Sequence, residues 1–191
     1  FARAYGADVR HYLPRLMSLR DDAGTPLAAL GFRFAANGRL FLEQYLDAAI
    51  ESRLAADIQA PLARAGIVEV GNLAVAHAGG ARWLIAALTA YLAGGGYRWA
   101  VFTAVPGLVN AFRRLGIPLI ALAAADIARL PPEERAAWGT YYDTAPTVMA
   151  ASVDHSFSAL SAYLNAPPER HSLAPLWARA YAAGQALPSA T

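Results

Sequence analysis

The sequence predicts a β-sheet with helices packed on it, an α/β or α+β domain, and the middle of the chain carries that reading. Three largely apolar runs, at 67–75, 97–104 and 117–125, read as strands. Between them lie two helical stretches, 81–93 and 106–115. Strands and helices alternating at this spacing bury their apolar faces as stacked layers.

Local punctuation supports each element. Residues 1–11 read as helix. Segments 12–20 and 26–35 flank the polar turn Asp21-Asp22-Ala23-Gly24-Thr25 and form a β-hairpin. Residues 40–46 read as extended, and a helix follows over 48–56. Gly79 and Gly80 end the strand Ile67–Val75 before the apolar helix. Pro106 falls in the first turn of the next helix and Gly116 at its end. A helix at 131–138, a strand at 147–153 and a helix at 157–164 complete the pattern. From Pro167 the chain is proline-rich, then weakly helical over 176–182, and reads as peripheral. At 191 residues this is one domain over 1–165 with a C-terminal extension over 166–191.

Composition removes several chemistries. The chain has no cysteine, so disulfides, thiolate metal sites and cysteine nucleophiles are out. It has no lysine either, which removes a phosphate-binding P-loop lysine and a Schiff base. A formal charge of +2 is too small for a nucleic-acid binder, although arginines gathered on one face suit an acidic carrier protein or a phosphate-bearing cofactor. The longest apolar run, 83–93, makes a helix of about 16 Å against a bilayer core of about 30 Å, so no membrane span is expected. Arg3, Asp8 and Arg10 stand where a signal peptide needs an apolar core, so the cytoplasm is the expected location.

The four histidines, His11, His77, His155 and His171, match no metal spacing, and no metal site is expected. Ser156 and Ser158 beside Asp154 and His155 lack the turn of a serine hydrolase. Gly79 and Gly80 precede a helix N-terminus, which is either a phosphate cradle or a plain tight turn. Glu69 sits between Val68 and Val70 and points to the opposite sheet face from both. There it either faces a site, with a pKa raised toward that of a general base, or is buried and paired. Glu43 and Asp47 in LFLEQYLD bind an amine or serve the following helix, with Asp47 as its N-cap and Glu51 in its first turns.

Three blocks taken together resemble the thermostable hemolysin family: LFLEQYLDAAIE at 40–51, IVEVGNLAV at 67–75 with its continuation to Arg82, and FRRLGI at 112–117 leading into WGTYY at 138–142. The resemblance covers about residues 5–155. That family is in turn similar to GNAT acyltransferases and to the autoinducer synthases, which make acyl-homoserine lactones. The resemblance implies a central mixed, mostly antiparallel sheet with splayed strands and flanking helices. It implies an acyl donor, acyl carrier protein phosphopantetheine or acyl-CoA, with no tightly bound cofactor, and a small amine acceptor; a homodimer stays open.

Site residues follow from the same resemblance. The pyrophosphate loop of GNAT folds corresponds to residues 76–81, with Ala76 where Gln or Arg is usual, and puts Gly79, Gly80, Ala81 and Arg82 at the donor phosphate. Backbone N–H groups of Leu73, Ala74 and Val75 would polarise the thioester carbonyl. Glu69 takes the glutamate position of the synthases' E-x-x-R motif as base, and Asn72 replaces its arginine. Glu43 and Asp47 fall near the synthases' acidic pair. Phe112 stands where many GNAT enzymes have the tyrosine that protonates the leaving thiolate, and Tyr141 and Tyr142 are substitutes for it. The other implied reading is a non-enzymatic protein of the same scaffold that acts on lipids or membranes.

Overall fold

In the computed structural model the described residues are 2–9, 12–76, 80–164 and 174–187. A sheet of six strands has the order β1-β2-β3-β4-β6-β5. The hairpin of β1 (Arg15–Arg20) and β2 (Pro26–Phe34) turns where expected, closed by the Asp21 carboxylate accepting the Thr25 N–H at 2.7 Å. Strand β3 (Ile67–Val75) runs antiparallel to β2 and parallel to β4 (Trp99–Ala104). Helix α3 (Gly80–Gly94) makes the crossover a parallel pair requires. Strand β6 (Thr147–Ser152) lies antiparallel between β4 and β5 (Ile120–Ala124).

Alternation along the strands makes two cores. Ile67, Val101, Val148 and Ala150 face a layer formed by α2 (Ile50–Ile58) and the 3-10 turn Phe41–Tyr45. Val68, Phe102, Met149 and Ala151 face the other layer, formed by α3, α4 (Pro106–Arg114), α6 (Val153–Leu164) and α7 (Ala174–Gln185). The remaining helices, α1 (Ala2–Tyr5) and α5 (Pro132–Arg135), are single turns.

Several expectations change. Helix α1 ends at Tyr5, so 6–9 are not helical, and the first strand starts at Arg15 rather than at 12. Residues 41–45 form a 3-10 turn instead of an extended run, because carboxylates of Glu43 and Glu69 collect its N-terminal N–H groups. The N-cap of α2 is Ala49; Asp47 instead meets Arg129 at 2.5 Å. Residues 136–138 are 3-10 rather than α-helical, and α6 begins at Val153 because strand β6 passes straight into it.

The C-terminal helix is not peripheral. Gly94 of α3 and Gly184 of α7 let the two helix backbones nearly touch: a Cβ on Gly184 would run into the Tyr91 carbonyl, and one on Gly94 into the Tyr181 carbonyl. Trp177 and Tyr181 pack their rings on Phe157 of α6 at 4.7 and 5.6 Å.

The feature that positions the site is where β3 and β4 part. Their pairing runs from Ile67 with Trp99 to Val70 with Phe102 and stops. Beyond it β3 continues along β2, while Thr103 and Ala104 stay on β6. The same stretch of β3 holds a bulge: the register shifts by one, so Asn72 and Leu73 oppose Leu30, with Asn72 at φ 52°.

Gly184→Ala should lower unfolding free energy by about 1–3 kcal/mol in urea titrations, because the new methyl meets backbone rather than a yielding side chain. A neutral or stabilised variant, as helix propensity by itself would give, would remove the close crossing of α3 and α7.

Candidate active site

Glu69 is 3% exposed and lies on the face of β3 that looks toward the 3-10 turn Phe41–Tyr45. Its two carboxylate oxygens accept the N–H groups of Leu42 at 2.8 Å and Phe41 at 3.0 Å. Burial pushes its pKa above the ordinary carboxylate value, against the pull of those two N–H groups and of the Arg33 charge. Arg33 is its direct cross-strand neighbour on β2 and donates to the Arg39 carbonyl at 3.0 Å.

A cavity of about 1180 Å³ opens at the parting of β3 and β4 and has Glu69 in its wall. This exceeds the roughly 300–1,000 Å³ of ordinary small-molecule sites. On one side of the sheet it is apolar, bounded by Ile85, Leu88, Leu92, Phe102, Leu108 and Phe112. On the other it is aromatic, bounded by Tyr5, Phe41, Tyr45, Trp138, Tyr141 and Tyr142. The N-terminal arm closes part of that second side. Asp8 N–H donates to the Ala137 carbonyl at 2.7 Å, Thr140 N–H to the Tyr5 carbonyl at 2.9 Å, and Leu13 N–H to Asn72 Oδ1 at 3.0 Å.

The far end of β3 offers a backbone donor to the cavity. Ala76 N–H bonds the Leu27 carbonyl at 2.9 Å, toward β2. Successive N–H groups of a regular strand point to opposite edges, so that of Val75, next to Ala76 and clear of the bulge, points to the edge that β4 has left. Val75 is 43% exposed there.

The residues singled out from sequence divide accordingly. Glu69, Asn72, Leu73, Ala74, Val75, Tyr141 and Tyr142 all line the cavity. Asn72 does so while its side chain holds the N-terminal arm at Leu13. Gly80 is buried in the first turn of α3, where a Cβ would stand 3.0 Å from the Val75 side chain. Ala81 follows it at half-burial, and exposed Arg82 bonds the Tyr163 hydroxyl at 3.2 Å. Gly79, with His77, His11 and His171, lies outside the described residues. Phe112 stacks on Phe102 with ring centroids 4.9 Å apart.

Glu43 and Asp47 are not among the described lining residues. Glu43, 6% exposed, sits behind the turn and pairs with Arg64 at 2.6 Å while accepting the N–H groups of Leu40 at 2.8 Å and Ile50 at 2.9 Å. Arg64 also reaches Glu51 at 2.6 Å. Burial pushes the Glu43 carboxyl up, but Arg64 and the two N–H groups win and hold it at about 2.

Sequence reasoning passed over Arg33 and Tyr45. Arg33 carried the signal that marked Glu69, a charge inside an apolar strand. The Tyr45 hydroxyl is hydrogen-bonded to that of Tyr142. Burial raises Tyr45 well above its ordinary 10, and pushes Tyr142 up to about 12.

The six-stranded sheet, whose central parallel pair diverges beside a bulge over a cavity with a buried carboxylate, has a GNAT-like, acyltransferase-like fold of the acyl-homoserine lactone synthase kind. Apo TofI matches with TM-score 0.51 and 18% identity, covering 76% of this chain and 71% of TofI. TofI in a ternary complex with an inhibitor and MTA matches at 0.52 and 18%, covering 76% and 68%. The acyl-homoserine lactone synthase LasI matches at 0.50 and 14%, also covering 76% and 68%. The sequence pattern of the thermostable hemolysin family matches residues 1–157, so the chain belongs to that family. Comparison with curated proteins finds no match.

Because the Glu43 pKa is depressed, its contribution is fully present above pH 4.5 and is lost as pH falls through about 2. At about 1.4 kcal/mol per factor of ten this is on the order of 3 kcal/mol. Glu69, raised, works in the opposite sense, favouring the fold at low pH and losing that share as pH rises. Urea titrations from pH 5 down to about 2 should therefore show a steep loss of stability that Glu43→Gln flattens. Parallel curves for the two proteins would remove Glu43 as the acid-sensitive group.

Proposed function

We propose that this protein is an acyltransferase that moves an acyl group from the thioester of acyl carrier protein or coenzyme A to an amine. The observation that carries the reading is the placement of Glu69: a buried carboxylate, raised in pKa, in the wall of a large cavity beside the point where β3 leaves β4. An acyl chain fills the apolar side between α3, β4 and α4, and the acceptor fills the aromatic side. The pantetheine arm runs along β3, with its phosphate toward Gly80–Arg82 in the first turn of α3, where the helix dipole favours an anion.

Glu69 supplies the base, directly or through one water. The amine lone pair forms the new C–N bond, the nitrogen's surplus proton passes to Glu69, and the C–S pair leaves on sulfur. The N–H group of Val75 receives the negative charge that builds on the carbonyl oxygen. Both oxygens of Glu69 are held by backbone N–H groups of Phe41 and Leu42, which fixes the carboxylate against the 3-10 turn; each oxygen keeps a further lone pair for a proton. Phe112 has no hydroxyl to give, so the thiolate takes its proton from water. Asn72 fixes the bulge and the N-terminal arm rather than touching the reacting atoms.

Purified protein given acyl carrier protein and coenzyme A thioesters with a panel of amines should release free thiol and acylated amine. Glu69→Gln should lower kcat by about 10²–10⁴-fold. Because the base acts deprotonated, kcat/KM should rise with pH through a value above the ordinary 4.5 of a glutamate. Equal rates for variant and wild type would reject the base. Dye release from liposomes, equal in both proteins and with no thioester consumed, would replace this reading by a lipid-acting one.

A further inference from the structure

The acceptor side of the cavity differs in kind from the acyl side. On the acyl side Phe102 and Phe112 stack nearly flat, with centroids 4.9 Å apart and planes at 16°. On the acceptor side rings arrive from three parts of the chain, at Tyr5, Phe41–Tyr45 and Trp138–Tyr142. Among the described contacts these rings meet edge-on or tilted. Tyr141 meets Tyr5 and Tyr142 at 5.2 Å, and Trp138 meets Tyr142 at 5.7 Å and Phe41 at 5.8 Å. A stacked pair spends a face of each ring, an edge-on pair the face of only one. Faces carry the negative lobe of the π system and attract a cation held over them, tryptophan most strongly.

Charge points the same way. The described residues of the wall bring the carboxylates of Asp8, Glu69, Glu133 and Glu134 against one guanidinium, that of Arg33. Three of the four arrive with the rings. Asp8 N–H bonds the carbonyl of Ala137, the residue before Trp138, and Glu133 and Glu134 belong to α5, which runs on into Trp138. Arg33 turns a guanidinium nitrogen to the Arg39 carbonyl at 3.0 Å. The base is joined to the rings directly: one N–H that Glu69 accepts, at 3.0 Å, is that of Phe41, whose own ring meets Trp138.

We propose that the acceptor is a diamine or a longer polyamine, with one nitrogen reacting at Glu69 while a second, protonated, rests on the rings of Phe41, Trp138 and Tyr142. The proposal rests on the acyl-transfer reading above and names the substrate class of that same site. The diamine enters with its reacting nitrogen neutral. That nitrogen forms the C–N bond, its surplus proton passes to Glu69, and the C–S pair leaves on sulfur, which takes a proton from water. The second nitrogen keeps its charge throughout. A cation fixed a few bonds away makes the reacting nitrogen easier to deprotonate, so the wall both anchors the acceptor and readies it. A carboxylate on the acceptor would meet the acidic wall and is disfavoured.

Acceptors of matched length make the test, each given the same thioester: 1,4-diaminobutane; pentylamine, in which a methyl replaces one amine; and ornithine, which adds a carboxylate. In the wild-type protein kcat/KM should be about tenfold higher for 1,4-diaminobutane than for either of the others, chiefly through KM. Trp138→Leu should bring the ratio of 1,4-diaminobutane to pentylamine toward one, and Trp138→Phe should keep part of it. Equal kcat/KM for these two acceptors in wild type, a faster reaction with ornithine, or a ratio that Trp138→Leu leaves intact would each overturn the proposal. Calorimetry needs no thioester: 1,4-diaminobutane should bind about tenfold more tightly than pentylamine. Equal affinities would overturn the cation-binding wall. Tighter binding of the diamine with no donor consumed would instead remove the acyl-transfer reading and leave the wall standing.

Discussion

Two N–H groups at the start of the turn Phe41–Tyr45 face the sheet, and the carboxylate of Glu69 is what they meet. A buried N–H without an acceptor costs about 1–3 kcal/mol, so removing this carboxylate would strand two donors at once. The turn then carries Tyr45 into the aromatic wall and leads on to α2, whose first N–H is taken by Glu43. One face of the sheet is thus organised around a charge on an inner strand. The same charge needs an open side, because both oxygens are already engaged and any proton it accepts has to come from the cavity.

That open side is made by backbone geometry rather than by side-chain choice. A parallel pair that stayed zipped would bury β3 on both edges; ending the pairing at Val70 and Phe102 leaves the second half of β3 with one edge on the cavity. The bulge at Asn72 sharpens the departure, and its positive φ is an unusual conformation for a residue with a side chain. Asn tolerates it better than most residues, and its Oδ1 offsets the strain by holding Leu13. Gly31 opposite is part of the same arrangement, since a Cβ there would stand 2.9 Å from Leu13 Cβ and 3.0 Å from Asn72 Oδ1.

The alternation of apolar strands with glycine- and proline-punctuated helices was readable because it depends on local periodicity, and β3 begins and ends where its sequence says. The segment around Glu43 was not. Its apolar, aromatic residues suit an extended strand, and it turns because carboxylates from within and from β3 capture its N–H groups, a contact spanning 27 residues. Asp47 has the side chain of an N-cap, yet Arg129 from far along the chain takes it. The helix at 174–185 read as peripheral because nothing in its own sequence names its neighbour; it is held by a glycine crossing that exists only when Gly94 lies opposite. At the site, a lone glutamate among valines advertised itself. Tyr45, in the same cavity wall, did not, since a tyrosine in an aromatic run reads as core until Tyr142 is brought to it.

Glu43 and Glu69 show how position decides the role of one kind of side chain. Each is nearly sealed from water, and each accepts two backbone N–H groups. The difference is Arg64, which reaches Glu43 with two guanidinium nitrogens at 2.6 and 2.9 Å and holds it at about 2. Glu69 has Arg33 as a neighbour whose side chain turns to the Arg39 carbonyl, so burial prevails and its pKa rises. An ion pair makes Glu43 a fixed anion, useless for proton transfer at any pH where the fold is intact. A carboxylate kept in place by N–H groups, without a full counter-charge, can gain and lose a proton while staying put. Environments that push two acidic groups apart in this way mark which one can do acid–base work.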